Sequence, residues 1–339
     1  MTQIIKSVDV CCGLSWGDEA KGKVIAYLAK TRQYDFVCRW AGGQNAGHTV
    51  YVNGKKYKTH IVPSGIFYNV QSIIGPDCVI NRDNFQKELD YLKENGFNTD
   101  LVKVSPKTHI VTNQHIEEDI VQYKKQQGST AQGIAPCYRD KYARKGVRAG
   151  EDDFFQSYLW DEVLYGNILC EGAQGFWLDI NYGNYPFVTS STTLPYGACS
   201  LGFPPQMIET IYGVSKIYDT RAGLDDEFPE SLLEDPELSL IAKEGNEFGT
   251  TTGRLRKVNW LNMDKLIQAV NVSGTTDIVI SKIDILEKVK LYKIIHENKI
   301  KQFENMIQMK EFIDVQLRQK CRMLKRVVYS GHVEHVDDL

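Results

Sequence analysis

The chain has 339 residues, of which 42% are hydrophobic and 24% are charged, and this is the composition of a globular protein with a buried core. It excludes disordered, collagen-like and disulfide-framework chains. A formal net charge of −3 at pH 7 argues against a basic protein that coats nucleic acid or an anionic membrane. Because no shift in composition marks a linker, we predict a single domain over residues 1–339.

The predicted elements alternate between short apolar runs and segments of helical period, which indicates an α/β protein. One helix is expected at about residues 20–30, and a second is expected to begin at Asn81 or Asp83 and to end at Gly96. The Asn53-Gly54 pair predicts a hairpin turn. Strands are expected at residues 8–12, 36–40, 73–80, 167–171, 277–281, 291–295 and 327–329.

Three long segments, residues 126–150, 176–205 and 220–257, are expected to be loops inserted into this domain. Long loops in compact domains are usually functional. The fold class that we predict is therefore α/β, with a large, mostly parallel central sheet, helices on both of its faces and the general plan of P-loop NTPases.

The eight cysteines are scattered without any C-x-x-C pair, and most lie in apolar runs. This distribution is typical of buried thiols in a reducing compartment. The first residues form no sustained apolar stretch, and no window approaches about 18 uninterrupted apolar residues. We therefore expect a cytoplasmic protein without a secretion signal or a membrane-spanning helix.

The first glycine-containing loop follows a predicted strand and opens a predicted helix. From Gly17 to Lys23 it matches the phosphate-binding pattern G-x-x-x-x-G-K. The next residue of that pattern is a Ser or Thr that holds Mg²⁺, and Val24 cannot do this, whereas Asp18 offers a carboxylate oxygen within the loop. Backbone N–H groups at the start of a helix favour an anion whatever the side chains are. The loop predicts a phosphate site, and a plain strand-to-helix turn is the alternative.

A second glycine-rich loop, residues 42–49, follows the next predicted strand and carries His48. An imidazole can gain or lose a proton near neutral pH, and small neighbours allow it to lie beside a substrate. Taken alone, this loop is equally compatible with a histidine that is only hydrogen-bonded to its surroundings.

These two loops and several later runs resemble, in the same order, the signatures of the adenylosuccinate synthetase family. The runs are residues 16–23, 45–49, 128–148, 171–175, 185–190, 250–254 and 281–284. The resemblance implies a carbon–nitrogen ligase that joins L-aspartate to C6 of a 6-oxopurine nucleotide, normally IMP, with GTP and Mg²⁺. The purine O6 would first be phosphorylated by GTP, and the aspartate amine would then displace the phosphate.

The resemblance also implies the roles of individual residues. Asp18 would accept the N1 proton, His48 would stabilise charge on the transferred phosphoryl group, and Asp18 with the backbone carbonyl of Gly47 would hold Mg²⁺. The donor nucleotide would contact Gly17, Glu19, Ala20, Lys21, Gly22, Lys23, Gly47, Thr49, Arg256, Lys282, Asp284, Ser330 and Gly331. The purine monophosphate would contact Asp18, Lys21, Asn45, Thr130, Arg144, Gln174, Thr189 and Arg254. L-Aspartate would contact Thr250, Thr251, Thr252, Gly253 and Arg254.

Arg144 would enter the site of a partner subunit, so the resemblance implies a homodimer. Without the resemblance, the basic segment 141–148 is better explained as a solvated loop or a nucleic-acid patch than as a phosphate site, and the net charge disfavours a nucleic-acid partner. We expect small-molecule substrates and no membrane partner.

Several positions depart from the family pattern, which leaves the acceptor nucleotide open. Ala20, Ser15 and Gln44 stand where the family usually has glycine, glutamine and histidine, and residues 329–332 replace its usual base clamp. Some phage relatives act on dGMP and make 2-aminoadenylosuccinate, with the host cytoplasm as their location. These phage relatives carry serine at the position of the general base, whereas this chain has Asp18 there. Asp18 therefore favours IMP as the acceptor, and (d)GMP with ATP or GTP as donor is the alternative.

A GTP-binding switch is the main alternative from another class, because a phosphate loop and the K-x-D element at residues 282–284 are its parts. The missing hydroxyl at Val24 argues against it. A catalytically silent relative is disfavoured because Asp18, His48 and Arg254 are all present.

Overall fold

The computed structural model describes residues 4–248, 253, 255–336 and 339. Its strands are β1 (Ile5–Gly13), β2 (Phe36–Gly42), β3 (His48–Val52), β4 (Lys55–Thr59), β5 (Gln71–Ile80), β6 (Val102–Val104), β7 (His109–Ile110), β8 (Gly166–Glu171), β9 (Ile208–Lys216), β10 (Tyr218–Arg221), β11 (Lys257–Asn262), β12 (Asp277–Ser281), β13 (Lys293–His296), β14 (Lys299–Gln302) and β15 (Arg326–Ser330). Its α-helices are α1 (Lys21–Thr31), α2 (Arg82–Glu94), α3 (Asn113–Glu118), α4 (Lys124–Gln127), α5 (Ile134–Tyr142), α6 (Pro236–Glu244), α7 (Met263–Ser273), α8 (Ile283–Val289) and α9 (Met306–Lys320).

The largest sheet has nine strands in the order β15-β12-β9-β1-β8-β2-β5-β6, with β7 paired to β5. Its pairings among the described residues are parallel. The predicted fold class, a large parallel sheet within an α/β protein, is confirmed. Because parallel strands all end at the same edge of a sheet, the loops after β1, β2, β8, β9, β12 and β15 meet at one edge, where ligands of such folds bind.

Both faces of this sheet are buried, because alternate side chains of each strand enter different clusters. In β1, Val8 and Val10 pack in one cluster with the apolar sides of α7 and α9. Cys11 points to the opposite face and packs with Val24 and Ile25 of α1. The helices therefore cover the sheet on both sides, as predicted.

The predicted strand at residues 291–295 lies at Lys293–His296 and outside the central sheet, where it pairs antiparallel with β14. β9 was not predicted, although it lies between β1 and β12. Its apolar pattern is interrupted by Glu209, Thr210 and Gly213. A side chain at Gly213 would lie 2.5 Å from Oγ1 of Thr275, so packing from a distant segment requires the glycine that weakens the pattern.

Two of the three segments expected to be loops contain helices, and to that extent the prediction was wrong. Segment 126–150 contains α5, and segment 220–257 contains α6. α5 has only nine residues and buries a short apolar side, so its helical period is weak in the sequence. Segment 176–205 contains only short 3₁₀ turns, such as Phe176–Leu178 and Pro195–Leu201, within its described residues.

The Asn53-Gly54 turn joins β3 and β4 in an antiparallel hairpin, as predicted. All eight cysteines are free thiols. Within the described part of the chain, every helix is too short or too polar to cross a bilayer.

Candidate active site

The first loop runs from the end of β1 to the start of α1, and its backbone is left-handed at Gly17, Asp18 and Ala20, with φ of 88°, 61° and 77°. This conformation is unusual for a residue with a side chain. Val24, at the position of the usual metal-binding hydroxyl, is fully buried under the sheet. The loop therefore presents backbone N–H groups and Asp18, and its metal would need oxygen from Asp18.

Glu19 is fully buried and organises this loop from the inside. Its Oε1 accepts hydrogen bonds from the backbone N–H groups of Ser15 at 3.1 Å and Gly17 at 2.8 Å, and its Oε2 pairs with Nζ of Lys21 at 2.6 Å. A Cβ at Gly175 would lie 2.3 Å from Oε1 of Glu19, so the 171–175 loop packs directly on this carboxylate. Glu19 thus holds the backbone and Lys21 in place.

Asp18 belongs to a network of charged side chains from several elements. Its Oδ2 lies 2.8 Å from Nε of Arg256, and Nη1 of Arg256 lies 2.7 Å from Oε2 of Glu247. Glu247 also pairs with Lys216 at 3.1 Å and accepts a hydrogen bond from the hydroxyl of Tyr218 at 2.7 Å. Burial would raise the pKa of Glu247, but Lys216 and Arg256 outweigh it and lower the pKa to about 2. Glu247 could not be predicted from the sequence, because its partners lie in other elements.

His48 begins β3 and is buried against Glu171 at the end of β8. Its Nδ1 is hydrogen-bonded to Oε1 of Glu171. The same carboxylate accepts from the backbone N–H of Ser64 at 2.6 Å and from its hydroxyl at 2.9 Å. Burial lowers the pKa of His48, which the Glu171 carboxylate partly offsets. Burial alone would raise the pKa of Glu171, but His48 and Arg39 lower it.

Gly22 brings the two loops together. A Cβ added there would lie 2.9 Å from Cβ of His48, so the first turn of α1 and the start of β3 are in direct contact. His48 therefore lies beside the phosphate-binding loop, as the assignment of both loops to one site requires.

The residues predicted to bind the purine nucleotide lie partly together. Oε1 of Gln174 accepts from the hydroxyl of Ser191 at 2.9 Å, and Ser191 lies 3.0 Å from the hydroxyl of Thr189. Nε2 of Gln174 is buried and has no partner within the described residues. This amide is therefore available to donate to a ligand. Asn45 is half-buried, and its Oδ1 accepts from the backbone N–H of Gly43 at 3.2 Å.

Several of the residues predicted to bind the donor nucleotide also lie in contact with one another. Nζ of Lys23 donates to Oγ of Ser330 at 2.8 Å, and a Cβ at Gly331 would lie 3.1 Å from Cβ of Asp284. Burial lowers the pKa of Lys23 to about 8, although Asp284 opposes this shift. Lys282 caps α8 in a left-handed conformation and donates to the carbonyl of Gly245 at 2.8 Å.

Other predicted residues are placed apart or lie outside the described chain. Thr130 lies in the segment before α5, and Arg144 is exposed just after α5 with φ of 61°. The structure gives no side-chain partner for Arg144 among the described residues. Gly253 is described and has φ of 64°. The remaining predicted aspartate contacts, Thr250, Thr251, Thr252 and Arg254, lie outside the described residues.

Asp18 is the predicted side-chain ligand for Mg²⁺, and its side chain is 27% exposed. No group of three or more His, Cys, Asp or Glu side chains that could hold an ion is found where the chain is described. One carboxylate and one carbonyl nevertheless fit Mg²⁺, which usually keeps few protein ligands and completes its shell with phosphate oxygens and water. The residues present therefore fit this ion.

The fold and site together define an α/β enzyme with a modified phosphate-binding loop. A family model described as adenylosuccinate synthetase matches residues 10–165 and 153–322. The chain is 34% identical to the adenylosuccinate synthetase of Lysinibacillus sphaericus over 342 aligned positions, which cover 84% of the chain and 79% of the relative. It is 37% identical to the enzyme of Shouchella clausii with the same coverage.

Solved structures agree with this assignment. The fully ligated adenylosuccinate synthetase of Plasmodium falciparum superposes with a TM-score of 0.85 and 26% identity, covering 96% of this chain and 97% of that one. The cyanophage S-2L succinoaminodeoxyadenylate synthetase, bound to dGMP and dATP, has a TM-score of 0.74 at 18% identity, covers 96% and 93%, and is alike in fold. The chain belongs to the adenylosuccinate synthetase family and is a carbon–nitrogen ligase of purine nucleotide biosynthesis.

Proposed function

We propose that this ligase joins L-aspartate to C6 of IMP and converts GTP to GDP and phosphate. The contact between the phosphate-binding loop and the start of β3 at Gly22 is the observation that carries the proposal. It brings a carboxylate loop and a buried imidazole to one sheet edge, and phosphoryl transfer depends mainly on such positioning and on charge neutralisation. Family membership argues against a GTP-binding switch.

In the first step, Asp18 accepts the proton from N1 of the purine, so that electron density moves to O6. O6 then attacks the γ-phosphorus, and the bond to the bridging oxygen of GDP breaks. His48 stabilises charge on the transferred phosphoryl group. In the second step, the amine of L-aspartate attacks C6 and the phosphate leaves with the O6 oxygen.

Lys21, Lys23 and the backbone N–H groups of the first loop bind the phosphates, as the start of a helix favours anions. The unpaired amide of Gln174 and the hydroxyl of Thr189 bind the purine nucleotide. Arg254 and the threonines at residues 250–252 bind the carboxylates of aspartate. Asp18 and the carbonyl of Gly47 would hold Mg²⁺, which would supply positive charge that offsets the charge of the phosphates.

We further propose that the enzyme works as a homodimer in the cytoplasm. Arg144 is exposed and lies beside Tyr142, which is 67% exposed. Tyr196 is 59% exposed; partial burial raises the pKa of its phenol, and the nearby Asp179, Tyr182 and Tyr142 raise it further. Exposed aromatic groups with an arginine are typical of protein interfaces. The free thiols of all eight cysteines suit a reducing compartment.

The proposal is tested by incubating purified protein with Mg²⁺, L-aspartate, either IMP or dGMP, and either GTP or ATP. Formation of the succinyl adduct is followed by its absorbance. We expect IMP with GTP to give the highest kcat/KM. Asp18→Asn is the matched inactive control, because asparagine has the same shape and tolerates the left-handed backbone. Nucleotide hydrolysis that needs neither aspartate nor a purine acceptor would contradict the ligase reaction proposed here.

A preference for dGMP would move the protein to a second candidate function, the synthesis of the 2-amino adduct. The cyanophage neighbour is bound to dGMP and dATP, and this motivates the dGMP arm of the assay. The 2-amino group needs only space and one acceptor, so a small change in the site can admit it.

A further inference from the structure

Glu171 has no role in the reaction as described so far, although it lies at the centre of the site. It ends β8 and is fully buried. Its register partner in β2 is Arg39, which is also fully buried. A buried charge is costly unless it is paired and hydrogen-bonded, so two buried charged residues on neighbouring strands are an energetically expensive arrangement for a core.

The Glu171 carboxylate interacts with Ser64 and lies beside Arg39, in addition to its hydrogen bond with His48. Ser64 donates to both of its oxygens, with the backbone N–H to Oε2 and the hydroxyl to Oε1. Burial would raise the pKa of Glu171, but His48 and, to a smaller extent, Arg39 on the neighbouring strand and the backbone N–H of Ser64 lower it. The carboxylate is therefore ionised and acts only as an acceptor.

Arg39 supplies its charge from a fixed position. Its Nη1 donates to the carbonyl of His60 at 2.6 Å, while its Nε and Nη2 are buried without a hydrogen-bond partner among the described residues. The backbone of Arg39 also packs closely on Gly75, where an added Cβ would lie 2.5 Å from the Arg39 carbonyl oxygen. The guanidinium is thus a rigid source of positive potential beside Glu171.

We infer that Glu171 is a positioning residue for the ligase reaction: held by Ser64 and Arg39, it fixes the His48 ring with the proton on Nδ1 and Nε2 facing the substrate. An acceptor-only oxygen at Nδ1 requires that nitrogen to donate. The hydrogen bond from Nδ1 to the carboxylate also fixes the plane of the ring, so Nε2 keeps one direction in the site. A buried carboxylate performs the same task for the histidine of serine proteases.

The inference rests on the proposed function for its kinetic consequence but not for its structural one. Nitrogen NMR of protein labelled with ¹⁵N-histidine reports which ring nitrogen carries the proton, and His48→Asn identifies the signal. In the wild type without substrates we expect the His48 proton on Nδ1. A proton on Nε2 alone would overturn the inference, whatever the enzyme's activity.

Glu171→Gln is the decisive variant. Its amide oxygen can still accept from Ser64, which turns the NH₂ group toward Nδ1 and moves the ring proton to Nε2. We expect kcat to fall by about 10- to 100-fold while the KM values change by less than about 3-fold, because orientation and not binding is lost. Glu171→Asp keeps the charge and should retain both the Nδ1 proton and a higher kcat than Glu171→Gln.

Glu88→Gln is the matched control. Glu88 is another buried carboxylate that accepts backbone N–H groups, from His60, Ile61 and Val62, and it does not contact His48. It should leave kcat and the His48 spectrum as in the wild type. Wild-type kcat in Glu171→Gln, or an effect on KM alone, would contradict the positioning role. Absence of any adduct with the wild type would contradict the proposed function, and the NMR result would still decide the inference.

Discussion

Lys23 is a buried lysine whose charge depends on what occupies the first loop. The residue is 6% exposed, and its ammonium donates to Ser330 and to the carbonyl of His332, without an acidic partner at hydrogen-bond distance among the described residues. Its pKa of about 8 lies below the ordinary value of 10.5 because burial disfavours the charge. An anion at the loop would supply the counter-charge that this lysine lacks.

The lowered pKa of Lys23 determines how the free energy of unfolding changes with pH. Between pH 8 and 10.5 the unfolded chain binds the Lys23 proton and the folded chain does not, so the free energy of unfolding rises with pH across this window. We expect the wild type to gain roughly 3 kcal/mol over Lys23→Met across the window, as measured by urea unfolding. Lys30→Met, an exposed change on the same helix, keeps Lys23 and should show the same gain as the wild type. If the free energy of unfolding changes with pH in the same way for the wild type and Lys23→Met, the lowered pKa of Lys23 is refuted.

At the scale of elements, the contact between α1 and β3 sets two effects against each other at Gly22. Alanine inside a helix is favoured over glycine by up to about 1 kcal/mol. The added Cβ would, however, lie 2.9 Å from Cβ of His48 and 3.3 Å from Cγ2 of Val50. Steric displacement of β3 should therefore dominate in the site, while the helix itself is not weakened.

We expect Gly22→Ala to lower kcat by at least about 10-fold with a change in Tm of no more than a few degrees, because a displacement of about 1 Å is costly in catalysis. Steady-state kinetics and thermal unfolding of the same preparation measure both quantities. A variant with wild-type kcat would mean that His48 can move away from the loop without loss of function.

The elements that the sequence predicted best are those whose signals are local. The strand at residues 8–12, the loop with Gly17 and Gly22, and the helix α1 follow each other within one continuous segment. The roles of Glu171 and Glu247 could not be predicted, because the first depends on Ser64 and Arg39 and the second on Lys216 and Arg256. Such contacts arise only when folding brings elements that are distant in the sequence together.

At the scale of the whole molecule, Arg144 is the predicted site residue that a single chain does not explain. It is exposed beside the tyrosines of the proposed dimer face. If Arg144 acts in the partner's site, each site takes Asp18 from one subunit and Arg144 from the other. Arg144→Leu and Asp18→Asn then remove contributions that come from different subunits. Neither variant alone should turn over substrate at more than a small fraction of the wild-type rate.

An equimolar mixture of these two variants, unfolded and refolded together, should regain roughly a quarter of the wild-type activity, since half the dimers are mixed and each has one intact site. Tyr196→Arg should abolish both dimerisation, measured by light scattering, and this recovery. A mixture as inactive as its components, in dimers shown to exchange, would assign Arg144 to its own subunit's site.

Trp16 precedes Gly17 and stacks on Trp177, with ring centroids 5.9 Å apart, and the ammonium of Lys265 lies 3.8 Å from the centroid of the Trp177 ring. Both indoles are nearly inaccessible to water. The protein thus has a built-in fluorophore next to its phosphate-binding loop. Emission from these indoles should change as nucleotide arrives, so rapid mixing can time the order in which the substrates bind without any attached dye.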